Sequence, residues 1–483
     1  MRSVGEWSLG VARSFGASRA MMLVALTGVL GGCVPTHELR PILREREVGS
    51  DFVFASAEER NLHPSRCFYE VSERSFGRLP RIMLEPRLRV EMTDNLDLND
   101  ATADTESKAL TRLRIRIDSG RWHEHVNYRV DLQDSQHVFA DASDERDSLD
   151  VRLAYAVFRP RRAVWGLRVG RTDLDFGSGT LLGADWHDNL DRSFDGVRLT
   201  IADSWSRLEP RPWRWRLDAF VAKPVVVGGG LNDTHEDTTI AGLYYGDRRA
   251  FPVRAEGIVV VTASDQHDFT GELGDTGDEV LVTLGGTVAA DRFGRARGVS
   301  ASAEAAVQFG HRASDEHLAF MFSADGSYVF PTPWQVRLRA GASFASGDDD
   351  PLDGRSGTFR PPFPGDLRAK LGLLELVGLS NVFAAGVGIS FGPLADFRVG
   401  ADLRWLGVAE VAAGYVGPEG TPVALLGNRL GRELDVSGRY RFETLSGKDV
   451  WVEGGYAVFE PGAGMPSGTG TVQGLYLQTS FRF

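Results

Sequence analysis

Apolar and polar side chains alternate along the chain from residue 82 to its end, with polar or Gly-, Pro- and Asp-rich breaks in between. In residues 82–92, Leu88 and Val90 belong to an apolar set, while Arg87 and Arg89 occupy the alternate positions. Because successive side chains of a β-strand point to opposite faces, this period predicts a sheet with one apolar and one polar face. The same alternation runs through residues 111–118, 126–133, 149–158, 165–172, 197–201, 213–221, 334–343, 396–405, 433–443, 450–459 and 472–483.

The length of these stretches distinguishes a membrane barrel from a soluble sandwich. A tilted strand needs roughly 9–11 residues to cross a bilayer, whereas soluble strands usually have about 5–6. Many of the stretches reach the longer value. We therefore predict an all-β fold, a monomeric transmembrane antiparallel β-barrel of about 18 strands over residues 81–483. The apolar run at residues 20–32 is too short for a membrane-spanning helix, which needs roughly 20 residues.

Tryptophans and breaks give the expected boundaries of the membrane-spanning part. Tryptophan occurs near the ends of stretches, where aromatic girdles meet the membrane interfaces, at Trp165, Trp186, Trp213, Trp334, Trp405 and Trp451. Longer acidic breaks at residues 141–147, 231–237, 266–278 and 346–365 are expected to be extracellular loops. Between residues 244 and 330 the chain is rich in Gly and Ala, and the alternation is blurred.

The N-terminal residues have the features of an export signal. Arginines precede an apolar stretch that ends in small residues, so residues 1–32 are predicted to be a signal peptide. The string Leu30-Gly31-Gly32-Cys33 resembles a bacterial lipobox, in which Cys33 would be acylated after cleavage. The alternative is ordinary cleavage nearby, with Cys33 incidental. Residues 33–80 show no clean alternation and are expected to form a periplasmic extension or a plug.

The net charge, the cysteines and the last residues of the chain indicate which partners the protein can have. The formal net charge is −12, and removing residues 1–32, which hold three Arg and one Glu, makes it −14. So acidic a chain is not expected to bind nucleic acid, which favours a basic surface. The two cysteines, Cys33 and Cys67, can form a disulfide only if Cys33 stays unmodified. The last stretch ends on Phe483, a pattern that resembles the signal read by the barrel-assembly machinery. That machinery and outer-membrane lipid are the expected partners.

Motifs for catalysis do not occur in the sequence. It holds no G-x-S-x-G, H-E-x-x-H, C-x-x-C or phosphate-binding glycine loop. Its candidate catalytic histidines have no consistent Ser partner; they are His123, His125, His137, His187 and His311. The acidic run at residues 348–354 lacks the alternate spacing and distal Glu of a Ca²⁺-binding EF-hand loop, and a solvated loop is the preferred interpretation. We expect no enzyme activity, no cofactor and no metal.

Arginine on the polar face is the most informative feature for function. By parity, 17 arginines and 11 carboxylates point away from lipid. The predicted pore-lining arginines are Arg87, Arg89, Arg112, Arg114, Arg116, Arg129, Arg152, Arg168, Arg198, Arg337, Arg339, Arg398, Arg404, Arg439 and Arg441, and Arg214 and Arg216 complete the set. The surplus of arginine predicts a positive lumen. The alternative is that Arg–carboxylate ladders neutralise one another across neighbouring strands.

Several short strings recur in an order that is typical of one family. They are Val169-Gly170-Arg171 with Trp186 and Phe194-Asp195-Gly196-Val197-Arg198 behind it, Gly357-Thr358-Phe359 with Phe363-Pro364 and Asn381, Gly431-Arg432-Glu433-Leu434-Asp435, and Gly455-Tyr456-Ala457-Val458-Phe459-Glu460-Pro461-Gly462. From about residue 82 to its end, the chain resembles the alginate export porin family. The resemblance implies a monomeric barrel of about 18 strands with an arginine-lined pore for anionic polysaccharide. The lipoprotein-like signal and the expanded acidic loops depart from the family, which bears on the alginate substrate more than on the fold.

Two functions are therefore open for a protein of the Gram-negative outer membrane. The first is a porin-like channel that passes anionic saccharides of the alginate type, or small anions, through an arginine-lined lumen. The second is a structural or surface-interaction barrel that is plugged by loops or by residues 33–80 and transports nothing. A measurable conductance in planar bilayers distinguishes the two.

Overall fold

The computed structural model describes residues 80–481, apart from residues 100, 102–104, 120–124, 138–146, 161–162, 186, 204–213, 228–231, 236, 251–252, 291–297, 395, 419–421 and 444–448. The predictions for the signal peptide, for Cys33, for Phe483 and for nearly all of the segment 33–80 fall outside these described residues.

Eighteen long strands dominate the described residues. They are β1 (Arg81–Asp94), β2 (Glu106–Asp118), β3 (Val126–His137), β4 (Asp147–Phe158), β5 (Trp165–Thr172), β6 (Phe194–Ala202), β7 (Trp215–Val226), β8 (Thr238–Asp247), β9 (Val253–Thr270), β10 (Thr276–Ala290), β11 (Gly298–Arg312), β12 (Asp315–Val329), β13 (Arg337–Ala345), β14 (Val382–Leu394), β15 (Phe397–Gly407), β16 (Arg429–Glu443), β17 (Asp449–Pro461) and β18 (Val472–Phe481). The other elements are the helix α1 (Arg368–Leu371) and the two-residue strands Asp233–Thr234, Arg355–Ser356, Tyr415–Val416 and Pro422–Val423. Within the described residues, no helix has the length and apolar character needed to cross a membrane.

The strands close into a barrel. Each long strand pairs antiparallel with the next one in the chain, and β18 pairs with β1. The closing register places Arg87 opposite Ser480 and Asp94 opposite Gln473. Closure joins the two edges that an open sheet would expose, and the chain needs no other partner for them. The predicted antiparallel transmembrane barrel of 18 strands is confirmed, while the monomeric state stays a prediction.

The faces of the barrel follow the predicted parity. Leu88 and Val90 of β1 are 38 % and 41 % exposed, while Arg87 and Arg89 at the alternate positions are buried. In β12, exposed and buried residues alternate strictly from Asp315 to Ser323. Apolar side chains exposed around the outside of a closed barrel face lipid, so the alternate positions face the lumen.

The Gly- and Ala-rich region between residues 244 and 330 forms regular strands, among them β9 with 18 residues. The alternation is blurred there because alanine occupies both faces: Ala305 is exposed on β11, whereas Ala306 on the same strand and Ala319 on β12 are buried. Hydrophobicity therefore cannot distinguish the two faces in this region, although the backbone pairing is continuous.

The connections differ between the two ends of the barrel. One end, here called the long-loop end, carries the long connections from β5 to β6, from β13 to β14 and from β15 to β16, and the opposite, short-turn end carries the short connections from β8 to β9 and from β14 to β15. In outer-membrane barrels the longer loops are extracellular, which makes the short-turn end periplasmic. Of the four acidic breaks expected to be extracellular, 266–278, 346–365 and the described part of 231–237 lie towards the long-loop end, whereas residues 141–146 lie outside the described residues.

One of these breaks is shorter than expected. Residues 266–278 are largely strand, because β9 continues to Thr270 and β10 begins at Thr276. Only the turn 271–275 connects the two strands, and side chains of the turn supply part of its hydrogen bonding. Glu272, for example, accepts a hydrogen bond from the Gly354 N–H at 2.9 Å.

Three of the tryptophans fit the predicted girdles. Trp165 begins β5 and Trp334 lies in the turn before β13, both exposed at the short-turn end, and Trp405 is exposed near the long-loop end of β15. Trp186 and Trp213 lie outside the described residues.

The girdle prediction is wrong for Trp451. In the register of β16 and β17, Trp451 of β17 pairs with Arg441 of β16. Asp435, six residues before Arg441 on β16, lies on the same face of that strand and pairs with Ala457. Directly paired residues of an antiparallel sheet share a face. Asp435 is completely buried against Arg404 inside the barrel, so Trp451 also belongs to the lumen face.

Candidate permeation path

Two long loops contact each other by main-chain hydrogen bonds. The first inner loop (173–193) joins β5 to β6, and the second inner loop (346–381) contains α1 and joins β13 to β14. Leu182 and Phe363 form a parallel bridge between them. Gly183 donates its N–H to the Phe363 carbonyl at 2.9 Å.

The first inner loop lies against the wall formed by β1 to β3. Arg87 of β1 donates hydrogen bonds to the carbonyls of His187 and Asp188, at 2.8 and 2.9 Å. Ser135 of β3 donates to the Asn189 carbonyl at 3.0 Å. Because Arg87 and Ser135 are inward-facing, these bonds place the loop in the lumen.

The second inner loop contacts a different part of the wall. Lys370 of α1 forms an ion pair with Glu304 of β11 at 3.0 Å. Leu374 donates its N–H to Glu433 of β16, also at 3.0 Å. The two loops together therefore link the β1–β3 wall to β11 and β16 across the lumen and narrow it.

A carboxylate of the first inner loop occupies the centre of the arginine wall. Asp191 pairs with Arg112 at 3.0 Å and with Arg152 at 2.8 Å, and Arg114 is its third partner. The Asp191 side chain is fully buried. Burial alone would raise the pKa of Asp191, but the guanidiniums of Arg114, Arg152 and Arg112 hold it well below its usual range. Asp191 therefore stays ionised and neutralises part of the wall.

Rows of arginine–carboxylate pairs, in which the two charges neutralise each other, connect β2, β3 and β4. Arg116 is directly opposite Asp131 in the register and pairs with it at 2.9 Å, and Arg152 reaches the same carboxylate at 3.2 Å. Arg129 pairs with the opposite Asp118 at 2.6 Å. Cross-strand pairing thus accounts for several of the predicted pore arginines, which is the alternative that the sequence left open.

The remaining predicted pore arginines also lie on the lumen face, and most have polar partners. Arg168 pairs with Asp173 (3.3 Å), Arg198 with Asp218 (2.9 Å), Arg339 with Asp402 (2.7 Å), Arg441 with Asp396 (2.7 Å), Arg89 with Glu91, and Arg404 with Asp435. Arg398 donates to Gln335 (3.0 Å), Arg439 lies over the Trp451 ring (4.3 Å), and Arg337 begins β13 opposite Ser390. Arg216 pairs with Asp218, whereas Arg214 lies before the start of β7, pairs with Asp203 and is 75 % exposed, so the parity of the strand does not apply to it.

The inner loops add acidic residues that the parity count omitted. Asp366 forms an ion pair with Arg368 at 2.8 Å. Asp185 and Asp188 lie nearby on the first inner loop, and burial followed by the charges of Asp188 and Asp366 raises the pKa of Asp185 to about 7. The lumen therefore combines an arginine-rich wall with loops whose negative charge depends on pH.

Sequence reasoning missed Asp185 and Asp191 and considered His187 only as a candidate catalytic residue, because alternation identifies strands and carries no information about loops. The sequence nevertheless contained an indication that this loop is functional. The connection between the predicted stretches 165–172 and 197–201 is longer than the roughly 12–15 residues above which loops are usually functional. It is also rich in Asp.

Known proteins agree with this barrel. Residues 81–474 match the alginate export family. No curated protein matches the chain. Among solved structures, OccK1 (OpdK) of Pseudomonas aeruginosa is 12 % identical with a TM-score of 0.58, covering 84 % of this chain and all of its own. OccK3 (OpdO) of the same organism is 13 % identical with a TM-score of 0.56, covering 84 % of this chain and 95 % of its own.

A third similar structure is OccK2 (OpdF) of Pseudomonas aeruginosa in complex with glucuronate, 12 % identical with a TM-score of 0.56 and covering 84 % of this chain and 97 % of its own. At these identities the likeness concerns the fold. The family match covers nearly all of the barrel, from β1 into β18. The chain belongs to the alginate export family and is a porin-like barrel of the Gram-negative outer membrane.

Proposed function

We propose that this barrel is an anion-preferring channel for acidic saccharides of the alginate type, or for small anions. The observation that carries the proposal is the concentration of arginine on the lumen face of three consecutive strands. These are Arg87, Arg89, Arg112, Arg114, Arg116 and Arg129 on β1 to β3. Rings of Arg lower the electrostatic cost of anion entry.

Guanidinium groups also suit a uronate. Their planar donors match a carboxylate in two parallel hydrogen bonds, and their flat faces stack on other groups. The family name supports an acidic polysaccharide as the substrate. No catalytic step forms part of this proposal.

The test is the reversal potential of single channels in a salt gradient. We expect anion preference in the wild type and a shift towards cations in the double variant Arg87→Gln, Arg398→Gln. Arg87 donates to main-chain carbonyls and Arg398 to the Gln335 amide, and glutamine retains hydrogen-bonding capacity at both sites. Arg432→Gln is the matched control, because Arg432 is 62 % exposed on the outer face beside Glu460. Cation selectivity in the wild type would overturn the proposal.

A plugged barrel is the second candidate function, and the main-chain bonds between the inner loops favour it. A Cβ at Gly183 would lie 2.7 Å from the Gly179 carbonyl oxygen and 3.1 Å from the Gly365 Cα, so Gly183→Val should push the two loops apart. If the wild type does not conduct but Gly183→Val does, the barrel is plugged. A conducting wild type rejects this candidate.

A further inference from the structure

Trp451 is a large aromatic side chain on the polar face of the barrel. It is the third residue of β17, which begins at the short-turn end. Its ring is partly exposed, on the same face as Arg441 and Glu453. An indole on a water-facing wall gains less from burial than it would in the lipid-facing girdle. Its position therefore suggests a contact with something that passes through the lumen.

Two guanidiniums already lie against this ring. The Arg439 Cζ is 4.3 Å from the ring centroid, and the Arg441 Cζ is 5.5 Å from it. Arg441 is also held by Asp396 at 2.7 Å. Cation–π contacts of this kind fix the orientation of ring and guanidinium together.

We propose that Trp451, Arg439 and Arg441 form a saccharide-binding platform at the periplasmic mouth of the lumen, specific for pyranose rings that carry a carboxylate. The proposal rests on the proposed function and names where that substrate first binds. The C–H face of a pyranose carries partial positive charge and packs on the negative face of the indole. A guanidinium beside the ring binds the carboxylate of the same sugar in two hydrogen bonds.

Neighbouring groups make the platform part of a longer polar surface. Glu453, the register partner of Arg439, accepts a hydrogen bond from Gln478 of β18 at 2.8 Å. The next strand, β1, carries Arg87 and Arg89, which contact the first inner loop. A uronate chain that leaves Trp451 thus passes the Glu453–Gln478 pair before it reaches the guanidiniums of the arginine wall on β1.

The experiment measures transient block of single channels by a guluronate trisaccharide, added to each side of the bilayer in turn. Trp451→Leu should shorten the blocks by about tenfold, the effect of losing one aromatic contact. Trp451→Phe should restore most of the block duration, because it keeps an aromatic face. Trp405→Leu, on the outer face, should change nothing, and maltotriose should block briefly in every variant. Selectivity for chloride should be the same in all of them.

The outcomes separate this proposal from the proposed function. An anion-selective wild type whose blocks are unchanged by Trp451→Leu overturns the platform and leaves the channel function intact. A barrel that conducts no ions overturns the channel function. The platform is then tested by binding of the trisaccharide in detergent. A change in tryptophan fluorescence that disappears in Trp451→Leu supports the platform, and one that persists overturns it.

Discussion

Arg112 of β2 donates a hydrogen bond to Asp191 of the first inner loop at 3.0 Å, and both side chains are almost completely buried. This ion pair attaches the loop to the barrel wall at a point where water is largely excluded. It differs from an exposed pair such as Arg214–Asp203, since exposed pairs contribute about 0–1 kcal/mol. Breaking one side of a buried pair costs several kcal/mol, because the other charge stays buried without compensation.

Asp191→Asn should therefore release the first inner loop and lower the free energy of unfolding by about 3 kcal/mol. Three guanidiniums, those of Arg112, Arg114 and Arg152, lose their shared counter-charge in this variant. Urea unfolding of the barrel in lipid vesicles measures the change. Asp349→Asn, on an exposed part of the second inner loop, is the control and should be neutral. Equal stability of the two variants would contradict the role assigned to Asp191.

The strands were predictable from the sequence, and the interior of the lumen was not. Alternation of apolar and polar residues located Leu88 and Val90 on the lipid face because a bilayer imposes one rule on every outward position. No such rule fixes the polarity of residues in a loop that is surrounded by the polar inner wall of the barrel. The position of His187 against Arg87 depends on how residues 173–193 fold back, which no local pattern records.

The alternation also identified which charged side chains face the lumen, but it did not show which of them form ion pairs. It assigned Arg116 and Asp131 to the same face, and the register then makes them direct neighbours. Asp191 was outside the count, because it belongs to a loop. Trp451 was misassigned for a related reason: an aromatic residue near a strand end is typical of a girdle, and only its register with Arg441 shows that it faces inward.

The lipid-facing assignment can be tested on β12. Phe322 is 48 % exposed on the outer face near the middle of the strand. Phe322→Arg should cost about 2–4 kcal/mol if the site is near the bilayer midplane. Ser302→Arg is the matched inward substitution, because Ser302 of β11 is opposite Asp325 in the register and the new charge acquires a partner. Urea unfolding in vesicles compares the two, and equal costs would show that the faces are misassigned.

A glycine from the family strings has a steric role. Gly170 of β5 has a φ of +120°, and a Cβ there would lie 2.3 Å from the Ala154 carbonyl oxygen on β4. Gly170→Ala should therefore disturb the pairing of β4 and β5 and reduce the fraction that folds. The mobility difference between heated and unheated protein in SDS gels measures that fraction. Gly326→Ala on β12 is the control, since nothing lies within 4 Å of its Cβ position. Normal folding of Gly170→Ala would contradict the steric argument.

Selectivity should depend on pH through Asp185. Burial and the charges of Asp188 and Asp366 raise its pKa from 3.8 to about 7. The folded protein therefore keeps this carboxyl protonated at pH values where the unfolded chain has released the proton. Its contribution to stability is complete below about pH 4 and is lost as the pH rises through about 7. Over the same upper range the lumen gains negative charge, so anion preference should decrease.

Reversal potentials at about pH 5.5 and about pH 8.5 measure this change, since the two values bracket the raised pKa. Asp185→Asn removes the carboxyl group whose pKa is raised to about 7. The change in anion preference between the two pH values should therefore be smaller in this variant than in the wild type. What remains comes from Glu375 of the second inner loop, because burial raises its pKa to about 8. Asp349→Asn should behave like the wild type, because Asp349 is exposed on the second inner loop. A wild type whose selectivity does not change with pH, or an Asp185→Asn variant that changes as much as the wild type, would show that the loop carboxylates do not act on the permeating ions.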